Sequence, residues 1–144
     1  MVKSMKRTSV LVVALMMLLS LSVAYATSDV VAIYKNGSST ELSMANEAVV
    51  SGSQSLEVNG DVATLTFEIK TFYKWFIPGN MKALSVDFNG DGNYTSASFS
   101  GNTVTINFPA SELKAGKNFY HATVKNDVAH IPMPTSEVEF CITK

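Results

Sequence analysis

The side chains with the clearest potential for chemistry lie near the C-terminus, in the segment His130-Ile131-Pro132-Met133-Pro134. Proline fixes φ and lacks a backbone donor, so two prolines hold Met133 stiffly and keep it off the interior of a sheet. The thioether of Met133 is soft and polarisable, and it can either pack against apolar neighbours or bind a metal. The imidazole of His130 is a second potential metal ligand. From these residues alone, the side chain of Met133 can have either a packing role or a metal-binding role.

Catalytic motifs are absent from the sequence. Besides His130 it contains one other histidine, His121, and one cysteine, and it has no H-E-x-x-H, G-x-S-x-G or phosphate-binding loop. Nucleophilic and metal-assisted catalysis need such groups at fixed spacings. The sequence therefore indicates a protein that is not an enzyme.

The turn around residues 87–93 resembles the first half of a calcium-binding loop. Asp87, Asn89 and Asp91 are spaced two apart, as the first oxygen ligands of such a loop are. Ser98 stands at the twelfth position, where the loop needs a bidentate glutamate. This pattern argues against calcium at Asp87, Asn89 and Asp91 and favours a solvated turn.

The N-terminus has the pattern of an export signal. Basic residues at positions 3, 6 and 7 precede an apolar stretch over residues 10–19 and the cleavage pattern Ala24-Tyr25-Ala26. We therefore expect a signal peptide over residues 1–26 and one mature domain over residues 27–144. The apolar stretch is short for a membrane span, so no span is expected after cleavage. An exported protein, extracellular or associated with the cell envelope and without a C-terminal anchor, fits this pattern.

The net charge indicates which classes of partner to exclude, and the cysteine content indicates whether a disulfide can form. Without residues 1–26 the chain keeps eight basic residues against 12 acidic ones, a net charge of −4. This acidic balance argues against nucleic acid or anionic lipid as a partner. The single cysteine, Cys141, excludes an intramolecular disulfide, and its apolar neighbours favour a buried thiol.

The mature region is typical of an all-β protein. Alternating or apolar β-rich runs fall at residues 30–34, 62–71, 84–88, 95–99, 103–108, 119–131 and 138–143. Turn signals rich in Asn, Asp and Gly separate them, and about seven or eight short strands predict a β-sandwich. Two short helical segments are expected, one over residues 43–47 with Ser43 and Asn46 as a weak capping box, and one over residues 111–114.

The run over residues 119–131 raises a question of side-chain direction. Val124 and Val128 share one parity, whereas Ile131 and Met133 have the other. A continuous strand cannot place both pairs on one face, so we expect a bulge or bend near Ala129 that turns Met133 towards the valines.

A dense aromatic cluster lies between two of the predicted strands. The sequence Phe72-Tyr73-Lys74-Trp75-Phe76-Ile77 precedes Pro78-Gly79. These rings cannot all alternate inward, so some of them are expected on the surface as an apolar contact area. For Trp75 the sequence leaves core and binding surface equally open.

Three segments, taken in order, resemble the near-transporter (NEAT) haem-binding domain. The first runs from Tyr34 to the Ser43-Met44 pair, and the second from Asn59-Gly60-Asp61 through the strand and aromatic cluster to Gly79. The third runs from residue 103 to Ile131 and includes Phe119-Tyr120-His121-Ala122-Thr123-Val124. The resemblance covers nearly all of the mature chain, and it implies an immunoglobulin-like β-sandwich.

The resemblance also implies where haem would lie. In this family haem sits between the short Ser-Met helix and the last hairpin, which typically carries Tyr-x-x-x-Tyr with the first tyrosine on the iron. In this sequence Met133 and Glu137 stand at those two positions. The resemblance thus implies Met133 as the axial ligand, Ser43 at a propionate, Met44 on the distal face, Val124 and Val128 on the floor and Trp75 on a wall.

The change from tyrosine to methionine leaves four interpretations. Met133 can replace the phenolate as the iron ligand, or His130 can bind the iron instead. Haem can be held by apolar contacts alone, or the domain has lost haem and binds something else. A thioether is neutral and soft and favours reduced iron, whereas a phenolate favours the ferric state.

The sequence predicts an exported, divergent NEAT-like protein that takes part in haem or iron uptake. It would bind haem non-covalently and pass it on, with other haem carriers or a host haemoprotein as potential partners and no nucleic acid. The alternative is an immunoglobulin-like adhesion or protein-interaction module without a cofactor.

Overall fold

The chain folds into two antiparallel β-sheets that pack face to face, as an all-β immunoglobulin-like sandwich. The computed structural model describes residues 22–26 and 30–144. The strands are β1 (Ser22–Ala26), β2 (Val31–Lys35), β3 (Ser55–Asn59), β4 (Val62–Glu68), β5 (Phe72–Lys74), β6 (Ile77–Asp87), β7 (Thr95–Ser96), β8 (Ser98–Ser100), β9 (Thr103–Pro109), β10 (Lys117–Val128), β11 (Ile131–Pro132) and β12 (Ser136–Thr143). Short 3₁₀ helices span Met44–Ala48 and Ala110–Glu112.

The two sheets differ in the number of strands and in which of them contributes residues to the candidate site. The five-stranded sheet has the order β1-β3-β4-β9-β8. The seven-stranded sheet has the order β2-β12-β10-β6-β5, with β11 paired to β10 and β7 to β6. All residues of the candidate site except those of the first 3₁₀ helix belong to the seven-stranded sheet or its connections.

Alternating burial along the strands builds the core between the sheets. In β4 and β9 every second side chain is buried, which is the period expected of strands with one face on a core. Phe67 from one sheet and Phe140 from the other are fully buried, with ring centroids 6.4 Å apart. Cys141 is buried as expected, and desolvation raises the pKa of its thiol.

The predicted strand over residues 119–131 is in fact two strands joined by a tight turn. β10 ends at Val128, Ala129 and His130 form a two-residue turn with φ of 51° and 63°, and β11 returns along β10. Left-handed conformations at both turn residues match the twist of the flanking strands. The expected bend is confirmed, but as a full reversal of the chain rather than a bulge.

The reversal accounts for the direction of Met133. Val128 pairs with Ile131 across the turn, and the Met133 N–H donates to the Asn126 carbonyl at 3.0 Å. Residues opposite one another on a hairpin share a face, so Ile131 and Met133 lie on the face of Val128 and Asn126. Residues 119–131 do not form the one continuous strand that was predicted, so the two pairs of side chains share a face despite their different parity.

A bulge does occur, in the neighbouring strand. Lys125 pairs with Ala83 and Asn126 with Met81, so Lys82 of β6 is the extra residue. Its ammonium lies 3.6 Å from the carboxylate of Asp127, which is buried. The bulge therefore brings a counter-charge to a carboxylate that would otherwise be desolvated alone.

The aromatic cluster forms a second tight hairpin. β5 and β6 are joined by Trp75 and Phe76, which both have positive φ, and Lys74 pairs with Ile77. Pro78 and Gly79 lie within β6, which continues to Asp87. Phe72 is buried, whereas Trp75 and Phe76 are exposed, which settles the question left open for Trp75 in favour of the surface.

The first strand falls within the predicted signal peptide. All five residues of β1 pair with β3, from Ser22 opposite Asn59 to Ala26 opposite Ser55. Residues 1–21, which carry the basic and apolar parts of that prediction, lie outside the described residues. Within the described ranges, no helix is long and apolar enough to cross a membrane.

Candidate functional site

The first 3₁₀ helix begins as predicted at Ser43. The Ser43 side chain accepts a hydrogen bond from the Ala45 N–H at 3.2 Å and so caps the helix. The predicted capping box does not form, because the Asn46 side chain instead accepts from the Ile33 N–H at 2.9 Å. This bond ties the helix to β2. Met44, the first residue of the helix, remains exposed.

A cavity of about 200 Å³ lies between this helix and the β10–β11 hairpin. The helix contributes Ser43, Met44 and Ala45 to its lining. The hairpin and β12 contribute Val124, Asn126, Val128, Met133, Pro134, Ser136 and Val138, and β5 contributes Phe72. The structure thus brings together five of the predicted site residues, which come from two distant parts of the sequence.

A second cavity of about 160 Å³ adjoins the first. The two share Met44, Phe72 and Val128, and the second is also lined by Lys74, Trp75, Ile77 and Gly79. We call the two cavities together the groove. Its lining is mainly apolar, and Trp75 forms part of its wall at the end nearest the β5–β6 turn.

His130 is the predicted site residue that the structure does not bring to the groove. It lies exposed in the turn between β10 and β11 and lines neither cavity. As a turn residue with positive φ, it has a conformational role that needs no ligand.

Nine residues of the groove were not predicted from the sequence as site residues, and two of them, Phe72 and Asn126, bear on the argument. Phe72 was treated as one ring of an aromatic cluster, and its place in the groove depends on the β5–β6 hairpin. Asn126 was passed over although it shares the parity of Val124 and Val128, which is the signal that could have identified it. The side-chain oxygen of Asn126 is buried and, within the described part of the chain, accepts no hydrogen bond.

The unpartnered oxygen of Asn126 leads to a prediction about stability. A buried acceptor without a donor costs about 1–3 kcal/mol. We expect Asn126→Leu to raise the free energy of unfolding by about 1 kcal/mol, measured by urea denaturation monitored by circular dichroism. A lower free energy of unfolding than the parent's would show that the amide makes a stabilising contact.

The turn at residues 87–93 uses its carboxylates internally. Asp87 accepts hydrogen bonds from the N–H groups of Gly90 and Gly92, each at 3.0 Å. Asp91 accepts from Asn93, and these hydrogen bonds lower the pKa of its carboxyl. In the described residues no group of three or more His, Cys, Asp or Glu side chains is placed to hold a metal ion.

Comparison with known proteins gives one structural match that bears on the fold. No protein-family model and no curated protein matches the sequence. The fold is similar to that of the NEAT5 domain of IsdX2, a Bacillus anthracis hemophore whose structure was solved in complex with heme, with a TM-score of 0.55. The two are 19% identical over 83% of this chain and 93% of that one. At this identity the likeness concerns the fold, and the fold of this chain is NEAT-like, as its sequence indicated.

Proposed function

We propose that this protein binds haem non-covalently in the groove and passes it on, as an exported component of haem or iron uptake. The observation that carries the proposal is the convergence of Ser43, Met44, Val124, Val128 and Met133 on one cavity. The NEAT-like fold supports it, since the domain of similar fold was solved with heme.

The size and lining of the groove suit a flat apolar ligand. Small-molecule sites typically have volumes of about 300–1,000 Å³, and the two adjoining cavities together reach the lower end of this range. Val124 forms a buried floor, and Phe72 and Trp75 contribute aromatic side chains to the lining. A ring system with an exposed edge would fit such a site.

Sulfur lines the groove from two elements. Met133 approaches from the hairpin side and Met44 from the helix, and both line the same cavity. Met133 would bind the haem iron through its thioether, and Met44 would place a second thioether against the ligand. Because thioethers are neutral and soft, such a site would favour reduced iron.

Ser43 has a hydrogen-bond donor to spare for the ligand. Its hydroxyl oxygen already accepts from Ala45, and the hydroxyl proton can be donated to a propionate carboxylate. Capping the helix and holding the ligand are therefore compatible roles for this one side chain.

The exposure of the ligands supports transfer rather than permanent retention. Met133 is 42% exposed and Met44 40% exposed, so the iron-binding side of the groove opens to solvent. A neutral ligand at an open site can release its cargo to a partner protein without local unfolding.

Titration with haemin tests the proposal. Mature protein, purified after export, should give a saturable change in the Soret band, and the reduced complex should show a low-spin spectrum. The same titration with Tyr94→Ser, an exposed residue outside the groove, should give an identical curve. If the parent shows no saturable Soret change, the haem proposal fails and the module without a cofactor becomes the better description.

A further inference from the structure

The large apolar side chains with the greatest exposure are concentrated at one end of the seven-stranded sheet. Phe76 is 97% exposed and Trp75 83% exposed, followed in the described part of the chain by Tyr73 and Ile131. The first three belong to the β5–β6 hairpin and Ile131 directly follows the β10–β11 turn. We call these four residues the apolar tip.

The β5–β6 hairpin extends past the end of β10 and past the point where the Ala129 N–H of the β10–β11 turn donates to the Pro78 carbonyl at 2.8 Å. Val128, the last residue of β10, pairs with Gly79, and the β5–β6 hairpin continues past that level through Pro78 and Ile77 to its turn. Two further residues of strand extend about 7 Å. We call the end of the hairpin, residues 73–78, the arm, and it places Trp75 and Phe76 beyond the end of β10.

The conformation of the arm is unfavourable for the residues that occupy it. Trp75 and Phe76 have φ of 53° and 67°, in a two-residue turn of the kind that Asn-Gly fills without strain. Large aromatic residues pay a conformational cost there, and their exposure recovers no burial energy. The two rings must therefore contribute something other than stability.

Charge at the apolar tip has the opposite sign to that of the mature chain as a whole. Between Glu68 and Asp87 the sequence has three lysines and no acidic residue, and between Asp127 and Glu137 it has His130 and no acidic residue. Lys74 lies in the arm itself, next to Trp75. Lys82 is paired with Asp127, so the charge beside the projecting rings is that of Lys74, which is positive although the net charge of the mature chain is −4.

We propose that the apolar tip docks this protein on the surface of a lipid bilayer that contains anionic lipids. Trp and Tyr are enriched at membrane interfaces, where the apolar ring body and the polar group are both satisfied. Lysine beside them interacts with anionic headgroups, and shallow insertion reaches about 5–10 Å, which the arm can span. The overall charge alone argued against such a partner, and the local distribution favours it.

Docking would place the groove beside the bilayer. Trp75 and Ile77 line the second cavity, so the tip and the groove are continuous. This inference concerns the tip and does not depend on what the groove binds.

Trp75 provides a direct test, because it is the only tryptophan in the sequence. Exported, purified protein is mixed with vesicles of phosphatidylcholine alone or with phosphatidylglycerol. We expect a blue shift of Trp75 emission, quenching by brominated lipid, and stronger partitioning on the anionic vesicles.

Two variants distinguish docking through the apolar tip from an effect of unfolding and from nonspecific binding of lipid by exposed apolar residues. Phe76→Asn removes the outermost ring and is compatible with positive φ, so it should fold normally and partition about tenfold more weakly. Val62→Ser removes an exposed apolar residue from β4 and should partition like the parent.

Three outcomes would overturn the proposal. The first is the absence of a spectral shift and of co-sedimentation with either vesicle, and the second is a Phe76→Asn variant that partitions as strongly as the parent. The third is a concentration-dependent dimer that Phe76→Asn disrupts, without lipid binding, which would assign the tip to a second copy of the chain.

Discussion

Replacing Met133 with alanine is expected to abolish the low-spin spectrum of the reduced haem complex and to weaken haem binding at least about tenfold. Loss of the residue that binds the iron removes the bond itself. Loss of a residue that only orients that ligand would leave the bond in place and change only the alignment of the ligand. The measurement is a haemin titration with and without dithionite, followed at the Soret and visible bands.

The position of Met133 makes this a test of ligation rather than of folding. It is 42% exposed and lies between β11 and β12, so truncation leaves no cavity in the core. His130→Ala is the matched control, because His130 is in the same hairpin but lines neither cavity. Its spectrum should equal the parent's.

Met44→Ala distinguishes one sulfur ligand from two. If Met44 also binds the iron, this variant should keep haem but shift towards a high-spin spectrum. A Met133→Ala variant with unchanged affinity and a low-spin spectrum would rule out Met133 as the ligand, and a changed His130→Ala spectrum would transfer that role to His130.

A methyl group on Gly79 is expected to lower the free energy of unfolding by about 1–3 kcal/mol. A Cβ placed there would lie 2.6 Å from two ring carbons of Phe72, well inside van der Waals contact. Phe72 is buried and lines both cavities, so a displacement of its ring changes the shape of the groove. Gly79→Ala should therefore lose both stability, measured by urea denaturation, and haem affinity, measured by Soret titration.

A double-mutant cycle assigns the effect to this contact. In a Phe72→Leu background the shorter side chain leaves room for the methyl group, so Gly79→Ala should cost much less than it does alone. Additive costs would show that Gly79 acts through the backbone and not through Phe72.

Much of the fold follows from local sequence. β2, β4, β9, β12 and the sandwich itself were predictable because β-rich runs of residues and the turn signals between them mark these strands. The reversal between β10 and β11 at Ala129 and His130 carries no such signal. The β5–β6 hairpin was not predictable, because its turn is Trp75-Phe76, a pair that no turn preference would select. There, pairing of β6 with both β5 and β10 overrides the local preference.

The candidate site was predictable to the extent that resemblance supplied it. Ser43, Met44, Val124, Val128 and Met133 were named from aligned motifs, and the structure places them in one cavity. Phe72 was not predicted, because its place in the groove depends on the pairing of β5 with β6. Asn126 was not predicted either, although it shares the parity of Val124 and Val128. His130 was chosen for its chemistry, which says nothing about the direction of a turn residue.

The pairing of β1 with β3 constrains the order of events in biogenesis. The predicted cleavage pattern, Ala24-Tyr25-Ala26, is hydrogen-bonded into a sheet in the folded full-length chain. A peptidase needs its substrate as a free extended segment, and a strand already paired cannot be offered to it. If the signal is removed after Ala26, cleavage must come before this sheet closes. The secretion machinery would then have to deliver the chain unfolded, and the mature protein would complete its sheet without its first strand.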